Sequence, residues 1–157
     1  AGERTFQMLH QVSGRAGRAD KNGQVFLQTF DPENQIMQAL KTGNADDFLE
    51  AEIQSRELLK MPPFGRLAGI IVSSPSQEYA QKAAVLLGRC APQGDGVRVL
   101  GPTPAPLSLL RGKYRYRLLL QTGRRIKIQN VLQSWLSRLS LPSSVRVQTD
   151  IDPYSFF

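Results

Sequence analysis

The second half of the chain alternates between two rhythms of hydrophobic and polar residues, and each change of rhythm marks an element. Residues 67–74 are apolar on both faces, as a central strand must be. Residues 76–90 read as a helix, residues 94–96 as a glycine-rich turn, and residues 97–101 and 114–122 as strands. Ile128, Val131, Leu132, Trp135, Leu136 and Leu139 recur at helical spacing, so a helix over 125–139 carries a stripe wide enough to cover a sheet. A last strand spans 145–151. In the first half, Thr5, Met8, Leu9 and Val12 predict a helix over 3–13. Asp20 to Gly23 is turn chemistry, after which Val25, Leu27 and Thr29 alternate with Phe26, Gln28 and Phe30 in a strand that stops at Asp31-Pro32. Helices follow at 34–40, stopped by Thr42-Gly43-Asn44, and at 45–60, capped by Asn44 and acidic in its first turn. Phe48, Ile53, Leu58 and Leu59 give the second of these its apolar surface.

Met61-Pro-Pro-Phe64 cannot continue a helix and separates the two halves. Beyond it the order βαββαβ predicts an α/β domain of the ferredoxin-like kind, four antiparallel strands with both helices on one face. Trp135 then belongs to the core. The run Gly101-Pro-Thr-Pro-Ala-Pro106 lacks backbone donors and predicts a rigid projecting loop between the middle strands.

Composition narrows the reading. With 157 residues and 41% hydrophobic content, the chain can support one compact domain and part of a second. Its one cysteine, Cys90, rules out a disulfide framework and a cysteine-rich zinc site, and reads as a small apolar residue near a helix end. His10 reads as a helix-surface residue. The longest apolar run, Leu67 to Val72, is too short to span a bilayer and no leader opens the chain, which predicts a soluble cytoplasmic protein with no membrane partner. The missing initiator Met and the start inside a helix suggest a piece of a longer chain. The net charge of +7 is unevenly placed: residues 1–66 carry eight Lys/Arg against nine Asp/Glu, while residues 67–157 carry twelve against four. Such an imbalance favours a polyanionic partner.

Period two locates much of that charge. In Lys113-Tyr-Arg-Tyr-Arg117, Tyr114 and Tyr116 share one face and Arg115 and Arg117 the other. Arg98 and Arg146 alternate with valines in the same way, so the four arginines are predicted on the uncovered side of the sheet, suited to phosphate contact without base reading. A solvated basic face, or a dock for another domain, is the alternative. Arg111, Gly112 and Lys113 add a mobile basic tip. Arg124, Arg125 and Lys127 open the second helix, with Arg125, Gln129 and Gln133 one turn apart on its exposed side, where cations are unfavourable unless an anion arrives.

One stretch points to specific chemistry. Gln11-Val-Ser-Gly-Arg15-Ala-Gly-Arg18 sets two guanidinium forks on a glycine-relieved backbone just after a helix, a device for gripping phosphate, with a surface loop bearing two solvated arginines as the alternative. The pattern Gln-x-x-Gly-Arg-x-Gly-Arg resembles motif VI of superfamily 2 helicases. Together with Gly23 to Thr29, Met61 to Phe64, Gly101 to Pro106, Lys113 to Arg115 and Asp150 to Pro153, in that order, it resembles the PriA family of bacterial replication-restart helicases over nearly the whole chain.

The resemblance implies a C-terminal piece of an ATP-dependent 3′ to 5′ DNA helicase. Residues 1–32 would end the second RecA-like lobe, 33–66 would connect, and 67–157 would form the C-terminal domain. It implies that Gln11, Arg15 and Arg18 face ATP and magnesium bound mainly elsewhere, with Arg18 the arginine finger and Arg15 its partner. Zinc would belong to the whole helicase and not to this chain. Nucleic-acid contacts would come from Arg98, Arg111, Lys113, Arg115, Arg117 and Arg146. Arg125 and Gln129 match the family's Arg-x-x-x-Gln, which implies a part in receiving the acidic tail of the single-stranded-DNA-binding protein SSB; a solvated helix end is the alternative. Forked and single-stranded DNA and other primosome proteins are the further partners implied. No Gly-x-x-x-x-Gly-Lys-Ser/Thr loop occurs, so the chain by itself is predicted to be inactive as an ATPase. The competing class is a stand-alone basic RNA-binding or ribosomal-type module.

Overall fold

The computed structural model describes residues 2–14 and 24–153. The chain divides into two compact units, 1–55 and 56–157. In the first, α1 (Gly2–Ser13), α2 (Gln35–Thr42) and α3 (Ala45–Leu58) are helical. The ends follow from local chemistry: Asn34 Oδ1 accepts from the Ile36 N–H at 3.0 Å, Gly43 closes α2 with φ of 70°, and Asn44 Oδ1 accepts from the Asp47 N–H at 3.3 Å.

A small core of Phe6, Ala39 and Phe48 holds this unit, with the two phenylalanine rings stacked at 4.6 Å. Of the residues at helical spacing in 3–13, Thr5, Met8 and Val12 are exposed and Leu9 half-buried, while Phe6 is the buried one. In α3, Phe48 is buried while Ile53 and Leu58 are exposed. One aromatic pair decides which face turns inward, and periodicity alone does not see it. His10 is exposed and stacks on Phe6.

The strand expected at 25–30 is not formed. Residues 24–29 have no regular structure, and Phe26 and Phe30 are exposed. A strand needs a neighbour for its N–H and C=O groups, and among the described residues none pairs with this segment. The turn at 20–23, Arg15 and Arg18 lie outside the described residues.

The second unit holds β1 (Gly65–Ser74), α4 (Gln77–Arg89), β2 (Val97–Leu110), β3 (Lys113–Gly123), α5 (Ile128–Leu136) and β4 (Arg146–Ile151). The strands form one antiparallel sheet in the order β2-β3-β1-β4. Ala68, Ile70 and Val72 of β1 and Leu118 and Leu120 of β3 are buried in one cluster with Leu87 of α4. Ile128, Leu132 and Trp135 of α5 complete that cluster, so Trp135 is core as its position in the stripe requires.

The proline run is not a projecting loop but part of β2, which continues to Leu110 with register shifts between Leu100 and Thr103 and between Pro104 and Leu109. Because β2 is an edge strand, its prolines can spend their missing N–H on the unpaired side or at the shifts. α5 is shorter than 125–139: the Ile126 N–H donates to Gly123 O at 3.0 Å, and this turn takes up Arg124 and Arg125 before the helix begins. Cys90 is the exposed C-cap of α4.

Asp152 fastens the end of β4 to the start of β1. Its N–H donates to Leu67 O at 2.7 Å, its Oδ1 accepts from the Leu67 N–H at 3.0 Å, and its Oδ2 pairs with the Arg66 guanidinium at 2.7 Å. Burial opposes the charged carboxylate, but the Leu67 N–H and the Arg66 guanidinium outweigh it and hold Asp152 below the usual carboxylate range. The stabilisation is therefore present above the unfolded pKa of about 4 and is lost as pH falls through the lower folded value. Asp152→Asn should cost about 0.5–1 kcal/mol at neutral pH for this half-exposed pair. In urea melts the gap to the parent chain should close in acid; a gap that persists unchanged at pH 3 would contradict this.

Candidate nucleic-acid interface

Register fixes what stands on the sheet face away from the helices. Arg115 lies opposite Ser73, and Ser73 opposite Arg146; in the next row Arg117 lies opposite Ile71, and Ile71 opposite Gln148. The third row is Leu119, Gly69 and Asp150, and in the fourth Gln121 pairs with Leu67 on one side and Arg98 on the other. These positions alternate with Leu118, Leu120, Ile70 and Val72, which are buried under the helices. The four arginines thus share one face, and Tyr116 packs against the core behind it.

Their spacing is uneven. Arg115 and Arg146 are two strands apart, about 10 Å, whereas the Arg98 row lies about 20 Å away along the strands. That far end is covered: Gln121 Nε2 donates to Leu59 O at 2.6 Å and to Lys60 O at 3.1 Å, and Leu67 is buried beneath. Gly65 permits this approach, since a Cβ there would come within 2.0 Å of Lys60 O. Arg115, Arg117 and Arg146 therefore form one group and Arg98 stands apart. Arg98 and Arg146 are exposed, and Arg115 and Arg117 half-buried.

Between the rows runs a groove of about 690 Å³. Arg115, Arg117 and Leu119 of β3 and Ile71 of β1 line its middle, Leu100 of β2 lies toward one margin, and Gln148 and Asp150 of β4 line the other. Sequence reasoning stops at the arginines and misses Gln148 and Asp150. The signal was available, because they alternate with Val147, Thr149 and Ile151 on the same strand as Arg146.

The remaining candidates are dispersed. Arg111 and Gly112, with φ of 51° and 71°, make a two-residue hairpin turn between the paired Leu110 and Lys113. Arg111 and Lys113 are exposed there. Arg125 sits in the turn before α5 and Gln129 in its first turn, both exposed, so they are not one helical turn apart on a shared helix face. Lys127 is the N-cap without a side-chain cap bond, and the first turn of α5 carries no acid. Gln11 is exposed on α1. Among the described residues no group of His, Cys, Asp and Glu could hold a metal, and no helix is long and apolar enough to cross a membrane.

The fold and this face define an α/β domain with a cationic open sheet. Residues 57–154 match the family described as Primosomal protein N C-terminal domain, and the chain belongs to that family. Similar proteins carry the name Replication restart protein PriA. The one from Rickettsia conorii is 43% identical over 100% of this chain and 24% of its own length. Those from a Synechocystis species and Bacillus subtilis are 38% and 32% identical over 98% and 97% of this chain, and 18% and 20% of their own lengths. The chain thus spans about a quarter or less of the length of these relatives.

Gly101 shapes the groove wall. Its φ is 98°, and a Cβ there would meet Arg117 O at 2.8 Å. Gly101→Ala should destabilise the second unit by about 1–3 kcal/mol, read as a lowered urea midpoint. An unchanged midpoint would mean that β2 can re-form its shift without the glycine.

Proposed function

We propose that this chain supplies DNA contacts to a replication restart protein, an ATP-dependent 3′ to 5′ DNA helicase that acts at stalled forks and supports primosome assembly in the cytoplasm. The observation that carries the reading is the sharing of one open sheet face by Arg98, Arg115, Arg117 and Arg146 in a member of the primosomal family. Guanidinium forks on a rigid sheet grip phosphate oxygens and leave the bases free, which suits forked and single-stranded DNA of any sequence. The βαββαβ succession and the order β2-β3-β1-β4 support a ferredoxin-like assignment for this domain. Arg111 and Lys113 extend the cationic surface along the β2–β3 hairpin.

Two further roles belong to the proposal. Gln11, Arg15 and Arg18 would face ATP and its magnesium at the junction with the rest of the helicase, with residues 1–32 as the end of a RecA-like lobe. Support for this is the spacing of that motif in the sequence. A guanidinium there neutralises charge on the transferred phosphoryl oxygens, worth about 10³–10⁵ in rate. Arg125 and Gln129, with Arg124 and Lys127 beside them, would receive the acidic SSB tail; their exposure and the absence of acid in the first turn of α5 support this.

If the four arginines contact single-stranded phosphates, log K should fall against log salt with a slope of about −3, and replacing Arg115 and Arg117 by alanine should flatten it by about 1.4. A slope near zero, or no binding at low salt, would refute the DNA reading. Fork DNA should also outcompete duplex and RNA; a strong preference for RNA would return the domain to the class of basic RNA-binding modules. In the whole helicase, Arg18→Ala should abolish DNA-stimulated ATP hydrolysis while leaving DNA binding near the parent level. Retained turnover would remove Arg18 from the site.

A further inference from the structure

We infer that the groove on the open sheet seats a single nucleotide of the bound strand, phosphate on Arg115 and Arg117, base over Ile71 and Leu119, amino edge toward Asp150. This deepens the DNA reading and rests on it. The groove distributes its charge unevenly. Arg117 on β3 and Asp150 on β4 lie two strand spacings and one row apart, roughly 12 Å, and Arg115 lies one row further, roughly 16 Å, with Ile71 and Leu119 between. A nucleotide has the matching sequence of properties: an anion at one end, flat apolar faces in the middle, and N–H donors along the far edge. An acidic peptide would satisfy the arginines but bring like charge toward Asp150, and a purely apolar segment would leave both ends unanswered.

Size and depth agree. At about 690 Å³ the groove falls within the range of roughly 300–1,000 Å³ that small ligands occupy. Gly69 lies in the row between Leu119 and Asp150, and a Cβ there would meet nothing nearer than Asp150 O and Pro153 Cγ, both at 4.0 Å. A side chain can therefore be introduced at Gly69 with no clash at its Cβ, and it would project into the groove. Among the described residues the floor has no aromatic ring, so their stacking is weak and the phosphate contacts carry most of the affinity. The base contact instead adds discrimination. Asp150 accepts a hydrogen bond from the amino group of cytosine or adenine, whereas thymine turns carbonyl oxygens toward that carboxylate and offers only its ring N–H.

The test uses the 157-residue chain and fluorescent oligo(dC) and oligo(dT) of equal length at neutral pH and low salt, followed by anisotropy. Oligo(dC) should bind about fivefold or more tightly than oligo(dT). Asp150→Ala, an exposed position, should erase that ratio without weakening oligo(dT). Gly69→Val, with its fold checked by thermal melting, should weaken both oligonucleotides while leaving the salt slope in place. Equal binding of the two oligonucleotides, unaffected by Asp150→Ala, would overturn the inference even if Gly69→Val failed to fold. An acidic apolar peptide blocked by Gly69→Val while DNA binding stayed intact would also overturn it, giving the groove to a peptide. Failure to bind any oligonucleotide at low salt would sink the DNA reading itself, which keeps the two failures apart.

Discussion

The pairing of β1 with β3 is the constraint on which both the core and the candidate interface depend. With a side-chain period of two, one register sends Leu118 and Leu120 under the helices and Arg115 and Arg117 to the open face. A slip of one residue would exchange them, burying two guanidinium groups and exposing two leucines. Desolvating charge costs several kcal/mol per ion, so the slip is closed off. The second neighbour of β1 agrees with the first: Val72 faces Tyr116 on β3 and Val147 on β4, all on the helix side. Packing therefore determines where the cations stand, and the cationic face needs no separate explanation.

How far the sequence reveals this depends on the range of the interaction involved. The alternation in Lys113 to Arg117 is local and strong, and it assigned both faces of β3 correctly. The apolar stripe of α5 is equally clear, but the ends of that helix are set by the turn from Gly123 to Ile126, which a stripe does not report. β2 was misread beyond Leu100 because prolines argue against a strand unless the strand is known to lie at an edge. That knowledge comes from the sheet order, a property of the whole domain. The first unit shows the opposite failure: residues 25–30 alternate well and still form no strand, because alternation cannot supply a neighbour.

The candidate site divides along the same line. Arg98, Arg115, Arg117 and Arg146 were found by counting in twos along β2, β3 and β4 separately. The groove was not, because it exists only where Leu119, Gly69 and Asp150 from three strands fall into one row. Asp150 matters most among the residues missed, since it gives an otherwise uniformly basic face a direction. A cationic surface alone binds any polyanion; a cationic surface with one acid across an apolar floor can distinguish what lies between them.

The central claim is that strand register gathers the arginines on a face used for binding. The direct measurement is an NMR titration of the isotopically labelled chain with single-stranded DNA, following backbone amides and arginine side-chain signals. Shifts should concentrate on Gly69, Ile71, Arg115, Arg117, Arg146 and Gln148. Shifts confined to the outer surfaces of α4 and α5, with those sheet positions silent, would contradict it.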